Sequence, residues 1–366
     1  MRIAIVGCGQ LSRMMALAGL PLGIKFSFIQ DDIKQSTVCV EGLGLIHQSP
    51  KKDKDTKDYD AKDIKQLYHD LGKPDCITVE KEQVDLDLLR VLSTLCPIFP
   101  SVDAIRSCQH RGKEKNLLSN LDIPTSPYFL NTSAVTAAKT LGYPIMVKSC
   151  TEGYDGKNQW RINNSSDAKH FDELNIQEYI IEAFMPFDKE ISLISVRSKQ
   201  GHIEHYSLTD NVHEKGILTR SIAPAVNISD QFRLKAQAYM ESLLNELDYV
   251  GVMAMECFVI GEQLMINELA PRVHNSGHWT QLGSITCQFE NHIRAIAGIQ
   301  LGSTKQISPT GMLNIIGIEK PSFELLAENT KLYWYNKSVK PLRKLGHINF
   351  IGKNHKVVSQ QMALFD

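Results

Sequence analysis

Two glutamates in a strongly apolar stretch, Glu256 and Glu268, frame the chemistry open to this chain. Glu256 lies in Val252-Met253-Ala254-Met255-Glu256-Cys257-Phe258-Val259-Ile260, and Glu268 in Leu264-Met265-Ile266-Asn267-Glu268-Leu269, with Gly261-Glu262-Gln263 between them. Two apolar β-runs flanking a glycine-bearing loop predict a hairpin. A three-residue loop pairs Ile260 with Leu264 and sets Glu256 opposite Glu268, their Cβ atoms about 5 Å apart on one face. Carboxylates so placed repel each other unless a cation lies between them, and hard oxygens next to a phosphate suit Mg2+. The alternatives are that one glutamate faces solvent, or that the loop has two residues and the register slips. The apolar surroundings favour the metal.

Three further segments could recognise anions. Ala270-Pro271-Arg272-Val273-His274-Asn275-Ser276-Gly277-His278-Trp279 follows the hairpin at once and crowds hydrogen-bond donors together. Lys148 ends a β-run, so its amine projects from a rigid edge. It precedes Gly153-Tyr154-Asp155-Gly156-Lys157-Asn158-Gln159, a glycine-bearing flap with the cations and backbone donors a triphosphate needs. This is not a P-loop, because the GxxxxGK[ST] spacing is absent. Lys337, Lys340, Arg343 and Lys344 form a cationic segment that reads as a solvated strand or as a phosphate contact. At the N-terminus, Gly7-Cys8-Gly9-Gln10-Leu11-Ser12 joins a strand to a helix, with Asp31 roughly twenty residues on. A dinucleotide fingerprint would have glycine where Ser12 stands. A tight turn, a phosphate site without a dinucleotide, and a weak dinucleotide site all stay open.

The elements that must carry these residues follow from hydrophobic period. Strands at 2–6, 26–29 and 76–79, with helices at 11–20 and 60–71, predict a parallel sheet with crossover helices. The lysine- and aspartate-rich stretch 51–65 reads as a solvated loop running into a helix. A second unit begins near Arg106, with a helix at 113–121, strands at 145–148, 177–182, 190–197 and 203–207, a long amphipathic helix at 231–247, and the hairpin. Beyond about residue 300 short strands prevail. The chain is read as α/β and α+β, divided at 1–105, 106–300 and 301–366.

Composition narrows the function. A net charge of −1 gives no global attraction to nucleic acid or to an anionic membrane. The eight cysteines show neither CxxC nor zinc spacing and are expected as buried thiols in a reducing cytoplasm. Gln10, Ser12 and Arg13 interrupt the N-terminal apolar stretch, which argues against a signal peptide, and no apolar run reaches spanning length.

At this point a resemblance becomes specific. Glu256-Cys257, with Asn267-Glu268-Leu269-Ala270-Pro271-Arg272-Val273-His274-Asn275-Ser276-Gly277-His278-Trp279-Thr280, closely resembles the signature of the 5-(carboxyamino)imidazole ribonucleotide synthase family. So do Gly9-Gln10-Leu11-Ser12-Arg13-Met14, the flap at 153–159, and Arg343-Lys344-Leu345-Gly346-His347, in the expected order over nearly the whole chain. The resemblance implies an ATP-grasp architecture: a Rossmann-like N-terminal domain, a central ATP-grasp domain and a small β-rich C-terminal domain, usually as a homodimer. It also implies consumption of ATP, bicarbonate and 5-aminoimidazole ribonucleotide, with Mg2+.

Position by position, the resemblance makes Arg111, Lys148 and the flap residues Gly153, Tyr154, Asp155, Gly156, Lys157, Asn158 and Gln159 nucleotide ligands. It makes Glu182, Ala183, Phe184 and Met185 the adenine hinge, Glu190 the ribose acceptor, and His213 and Asn267 nucleotide neighbours. Glu256 and Glu268 become the metal carboxylates. Gly9, Gln10, Glu82, Tyr154, Arg272, His274, Asn275, Ser276, Lys337, Arg343 and Lys344 fall on the substrate and bicarbonate side. Lys148, Arg272, His274 and Asp155 carry the chemistry, Asp155 as the base that takes the amine proton. Two departures stand out: Asn158 and Leu342 replace glycines common in the family. Ala270 stands where many other ATP-grasp enzymes place a metal-binding asparagine, but the family shares this alanine, which supports the narrower resemblance. The rivals are an NAD-dependent oxidoreductase, a catalytically dead ATP-grasp sensor, and a formate-using ATP-grasp ligase acting on glycinamide ribonucleotide.

Overall fold

The computed structural model describes residues 1–151, 158–319, 326 and 328–365. The apolar run Arg2–Val6 forms β1, flanked by β2 (Lys25–Gln30), β3 (Gly44–Gln48) and β4 (Cys76–Val79) in the order β3-β2-β1-β4. All three pairings are parallel, so the chain must cross over between strands; helices Gln10–Gly19 and Ala61–Asp70 lie on two of the crossovers. Ile3 and Ile5 enter one hydrophobic cluster while Ala4 and Val6 enter another. Burial on both faces explains why β1 reads as an unbroken apolar run. The helix expected at 60–71 starts where Asp60 accepts from the N–H groups of Lys62 and Asp63.

The glycine turn after β1 is already filled. Gly9 and Ser12 donate their N–H groups to the Glu80 carboxylate at 2.6 and 3.1 Å, and Ser12 Oγ donates to the Gly7 carbonyl at 2.9 Å. Asp31 is committed to Lys81 at 3.0 Å. Two of the donors a dinucleotide phosphate would use are spent on a carboxylate from the end of β4, which favours the tight-turn reading, and Gly9 offers no free N–H to a substrate.

A second sheet, antiparallel in the order β5-β8-β6-β7, is built from β5 (Tyr128–Leu130), β6 (Ile145–Ser149), β7 (Gln159–Ile162) and β8 (Tyr179–Ala183). The third is large and antiparallel. It contains β9 (Lys189–Arg197), β10 (Ile203–His205), β11 (Thr209–Glu214), β12 (Ile217–Ala223), β13 (Gly251–Ile260), β14 (Gln263–Ala270), β15 (Thr310–Ile316), β16 (Thr330–Trp334) and β17 (Lys344–Ile351). Its order is β14-β13-β9-β11-β12-β15-β17-β16, with β10 added to β9. The strands after residue 300 thus extend the sheet that carries Glu256, through the β12–β15 pairing.

Helix Asp230–Glu246 buries Ala236, Met240, Leu243 and Leu244 at helical spacing. They pack with Met253, Met255 and Cys257 of β13. With those odd-numbered residues turned to the helix, Glu256 and Phe258 face the other way.

The hairpin register differs from expectation in an instructive way. Ile260 pairs with Gln263, so the turn has two residues, Gly261 and Glu262. The register then shifts between Cys257 and Glu256, leaving Asn267 as an extra residue on β14. This β-bulge restores Glu256 opposite Glu268 and bends the strand locally.

A stability test follows from the filled turn. Gly7 has φ +111°, and a Cβ there would lie 2.4 Å from Glu80 Cγ, whereas Gly42 has φ +78° and nothing within 4 Å. Gly7→Ala is expected to cost about 2 kcal/mol or more, and Gly42→Ala about 1 kcal/mol, as read from urea midpoints. Equal costs would show that backbone strain alone, without Glu80, sets the requirement for glycine.

Candidate active site

A cleft of about 260 Å³ lies between the two antiparallel sheets. One wall comes from the smaller sheet. Met146 and Lys148 alternate along β6, and Glu182 stands beside Met146 on β8. Glu182 is buried and doubly held: Oε2 lies 2.5 Å from Lys148 Nζ, and Oε1 lies 2.7 Å from Lys115 Nζ and accepts from Ser126 Oγ at 2.8 Å. Burial opposes its charge, but Lys148 and Lys115 prevail and hold the carboxyl well below the usual range. Ala183, Phe184 and Met185 continue along the cleft, with the Arg161 guanidinium 4.3 Å from the Phe184 ring.

The facing wall belongs to the large sheet. Glu190, His213, Glu256, Phe258, Asn267 and Glu268 all line it. On a regular strand Asn267 and Glu268 would face opposite sides; the bulge turns both into the cleft. His213 Nδ1 bonds Glu190 Oε2, and although burial alone would discharge the ring, Glu190 raises its pKa above the ordinary value. Arg111 Nη1 lies 3.1 Å from Glu268 Oε2. Burial, then the charge of Glu268, pushes the Glu256 carboxyl up to about 7.

These carboxylates fit a divalent ion. Two like charges sit side by side, Glu256 largely out of water and Glu268 partly in it, a repulsion that a cation would relieve. Among the described residues no group of three or more His, Cys, Asp or Glu forms a complete ligand set, but Mg2+ needs only one or two carboxylates when a nucleotide's phosphates supply the rest.

The loop after β14 closes one end of the cleft through His274 and Asn275. His274 Nδ1 lies 3.0 Å from Ser276 Oγ and 3.8 Å from Glu256 Oε1. Burial, followed by the charges of Arg272 and Lys344, keeps its pKa well below the usual value, so the ring is neutral. Both side-chain amide atoms of Asn275 are buried without a protein partner, the mark of a group awaiting a ligand or water.

The sequence-predicted residues therefore divide into several places. Arg111, Lys148, Gln159, Glu182, Ala183, Phe184, Met185, Glu190, His213, Glu256, Asn267, Glu268, His274, Asn275 and Lys344 share the cleft. Arg272 and Glu82 pair with each other, Nε to Oε2, and join the N-terminal unit to the hairpin end. Lys337 Nζ donates to Gln10 Oε1, and Arg343 Nη1 donates to Ser338 Oγ at 2.8 Å. Ser276 is buried behind His274 and orients it rather than lining the cleft. Asn158 lies at the base of the flap; Gly153, Tyr154, Asp155, Gly156 and Lys157 fall outside the described residues.

Sequence reasoning missed Ser126, Met146, Phe187, Gly216, Leu218 and Phe258 as cleft residues, and Lys115 as the second cation on Glu182. Phe258 could have been found, because it alternates with Glu256 along one strand. Its ring stacks on Phe187 at 4.5 Å and 6°, an apolar surface of the kind a flat base covers. Phe187 gives no such signal from its neighbours in sequence.

A nucleotide-sized cleft gripped between two antiparallel sheets, with cations on one wall and paired acids on the other, is the construction of the ATP-grasp ligases, and this chain is of that class. Residues 116–289 match the ATP-grasp domain, 1–109 the ribonucleotide synthetase preATP-grasp domain, and 310–361 the phosphoribosylaminoimidazole carboxylase C-terminal domain. Within the class, the chain belongs to the N5-carboxyaminoimidazole ribonucleotide synthase family. It is 38% identical over 354 residues to the N5-carboxyaminoimidazole ribonucleotide synthase of Pseudomonas aeruginosa, covering 95% of this chain and 93% of that one. The crystal structure of the Thermus thermophilus synthetase superposes with a TM-score of 0.88 at 36% identity, covering 99% and 96%. The Aspergillus clavatus synthase, solved with ADP and 5-aminoimidazole ribonucleotide, gives 0.84 at 28% identity, covering 99% and 96%.

The raised Glu256 carboxyl makes a pH prediction for the ligand-free protein. Its folded value of about 7 exceeds the unfolded value of 4.5, so the folded state binds the extra proton between these values. Stability is then lost as pH rises from 4.5 through 7. Glu256→Gln is expected to flatten that slope and, at pH 8 in EDTA, to exceed the parent in stability by on the order of 1 kcal/mol or more. Urea unfolding across pH 5–8 checks it; an unchanged slope would remove the charge repulsion.

Proposed function

We propose that this chain catalyses the ATP-dependent carboxylation of 5-aminoimidazole ribonucleotide by bicarbonate. The products are 5-(carboxyamino)imidazole ribonucleotide, ADP and phosphate, and the reaction serves purine (IMP) biosynthesis. The observation that carries this reading is the facing of Lys148 and Arg111 with the Glu256/Glu268 pair across one cleft, closed by His274 and Asn275.

A bicarbonate oxygen attacks the γ-phosphorus, and the bond to the β,γ-bridging oxygen breaks, leaving ADP and carboxyphosphate. Lys148 and Arg111 offset charge on the transferring phosphoryl group. Glu256 and Glu268 would hold Mg2+, which when bound supplies positive charge against the triphosphate. Neutral His274 and the fixed guanidinium of Arg272 hold the carboxyphosphate, and Asn275 offers its unmatched amide. The ribonucleotide amine then attacks the carboxyl carbon, the C–O bond to phosphate breaks, and the amine proton passes to Asp155.

The ribonucleotide phosphate is placed by Lys337, Arg343 and Lys344 near Gln10. Lys337 supports this: burial lowers its pKa, and the like charges of Arg343 and Lys344 lower it further, a strain that a phosphate would relieve. Tyr154 and Glu82 complete the substrate side. The chain is read as a cytoplasmic homodimer, divided near residues 105 and 300. Free thiols at all eight cysteines agree with a reducing compartment.

Phosphate release with ATP and bicarbonate, in the presence and absence of 5-aminoimidazole ribonucleotide, tests the reaction. Release should be stimulated by the ribonucleotide and matched mole for mole by carboxylated product; indifference to it would refute the assignment. Glu268→Gln should lower turnover roughly 10²- to 10³-fold, and retention of turnover at saturating Mg2+ would remove the metal role. Arg343→Ala should raise KM for the ribonucleotide about tenfold or more while leaving that for ATP within about twofold. Equal effects on both would take Arg343 out of the phosphate site.

A further inference from the structure

Helix Gln288–Ala297 meets the 272–279 loop from behind, and its first residue, Gln288, is fully buried. The Gln288 amide engages both backbone polar groups of a single residue. Oε1 accepts from the His274 N–H at 2.9 Å, and Nε2 donates to the His274 carbonyl at 2.6 Å. This is the paired exchange that a strand partner makes in an antiparallel ladder. Here a side chain makes it, four residues after β14 has ended at Ala270. Nε2 also donates to Nδ1 of His278 at 3.2 Å.

The carrier of the amide is fixed in turn. The Gln288 N–H goes to Thr280 Oγ1 at 3.1 Å, and that hydroxyl donates to the Gly277 carbonyl at 2.6 Å. A Cβ on Gly277 would lie 2.7–2.9 Å from the Gln288 amide atoms, so the loop is wrapped tightly on this one side chain. On its other side the loop presents the His274 ring to the cleft, near Glu256.

We propose that Gln288 is a positioning residue for carboxylation: its amide fixes the His274 backbone and thereby the place of the imidazole against carboxyphosphate. The inference rests on the role given to His274 above. Without the amide, the His274 N–H loses its partner and the carbonyl keeps only the Gly277 N–H at 3.0 Å, and the loop relaxes to satisfy the freed N–H elsewhere. A shift of roughly 1 Å in a group that touches the reacting atoms costs up to about 100-fold in rate. The ATP-binding walls, on β6, β8 and β13, do not depend on this contact.

The test is a double-mutant comparison on the full chain, with ATP, Mg2+, bicarbonate and 5-aminoimidazole ribonucleotide, recording both product and phosphate. Gln288→Met, which keeps the volume and loses the hydrogen bonds, should lower kcat for carboxylation roughly 10- to 100-fold. It should leave KM for ATP within about twofold and release more phosphate per product formed. Because Gln288 acts through His274, His274→Ala/Gln288→Met should be no slower than His274→Ala alone. Two outcomes overturn the proposal: effects that multiply in the double variant, as a purely structural loss would, or unimpaired carboxylation in Gln288→Met where His274→Ala is impaired. If His274→Ala itself carboxylates normally, the earlier reading of His274 fails and the inference falls with it. Gln288→Glu, which keeps the shape and an acceptor, carries the same comparison should Gln288→Met not fold.

Discussion

Two carboxylates are held face to face on one wall of the cleft, Glu256 13% exposed and Glu268 37%, and most of the site is arranged around that repulsion. Glu256 and Glu268 are register partners on β13 and β14 only because Asn267 bulges out of β14. A hairpin with the same two-residue turn and no bulge would pair Glu256 with Asn267 and turn Glu268 to the other face. The bulge therefore decides whether the cleft has one acid or two. Its cost is local: one unpaired residue in a ladder otherwise locked between β9 and the turn. In return both acids and the Asn267 amide share one surface.

The opposing wall is built with the opposite imbalance. Lys115 and Lys148 share the single carboxylate of Glu182, so the buried group carries an excess of positive charge. Lys115 is 2% exposed and Lys148 12%, which leaves Lys148 as the member that can reach a ligand. Arg111, now on Glu268, adds a cation between the walls. An excess of cations facing an excess of anions suits a ligand that brings its own of both kinds, as a triphosphate with its metal does. The orphaned Asn275 amide belongs to the same account, since a buried amide with no protein partner makes sense only beside something polar.

How much of this could be read from the chain depends on whether the determinant is local. Strands at 2–6 and 76–79 coincide with β1 and β4, because apolar runs buried on both faces leave an unambiguous trace. The hairpin was legible as two runs and a turn. Its register was reached by compensating departures, since a bulge is set by partners on three strands and not by the turn. β11 and β12 went unread, because strands that line a polar cleft, such as Asp210-Asn211-Val212-His213, lack apolar alternation. The filled glycine turn was out of reach as well: Glu80 lies 71 residues from Gly9, and nothing near the turn announces it. Two departures from family glycines find their reason only in the backbone. Asn158 has φ +52° and Leu342 φ +60°, the left-handed region where glycine is at ease. Asn tolerates it through its short polar side chain; Leu342, 67% exposed, bears the strain without steric crowding from the core.

Helix Gln288–Ala297 ties the site to the N-terminal sheet. His292, on the same helix as Gln288, lies 2.9 Å from Thr78 Oγ1 on β4 and accepts from the Val252 N–H of β13 at 3.1 Å. Cys76 Sγ donates to the Ile296 carbonyl at 3.7 Å, and Ile293 packs where Gly19 leaves no room for a Cβ. One helix thus touches the N-terminal sheet, the strand that carries Glu256, and the loop that carries His274. The Arg272–Glu82 pair spans the same seam from the other side. In the proposed reaction an intermediate formed against one wall must meet the ribonucleotide amine before water reaches it. That requires the units to be in fixed register. A buried neutral imidazole and a buried amide provide this without adding charge to a site whose charges are already spoken for.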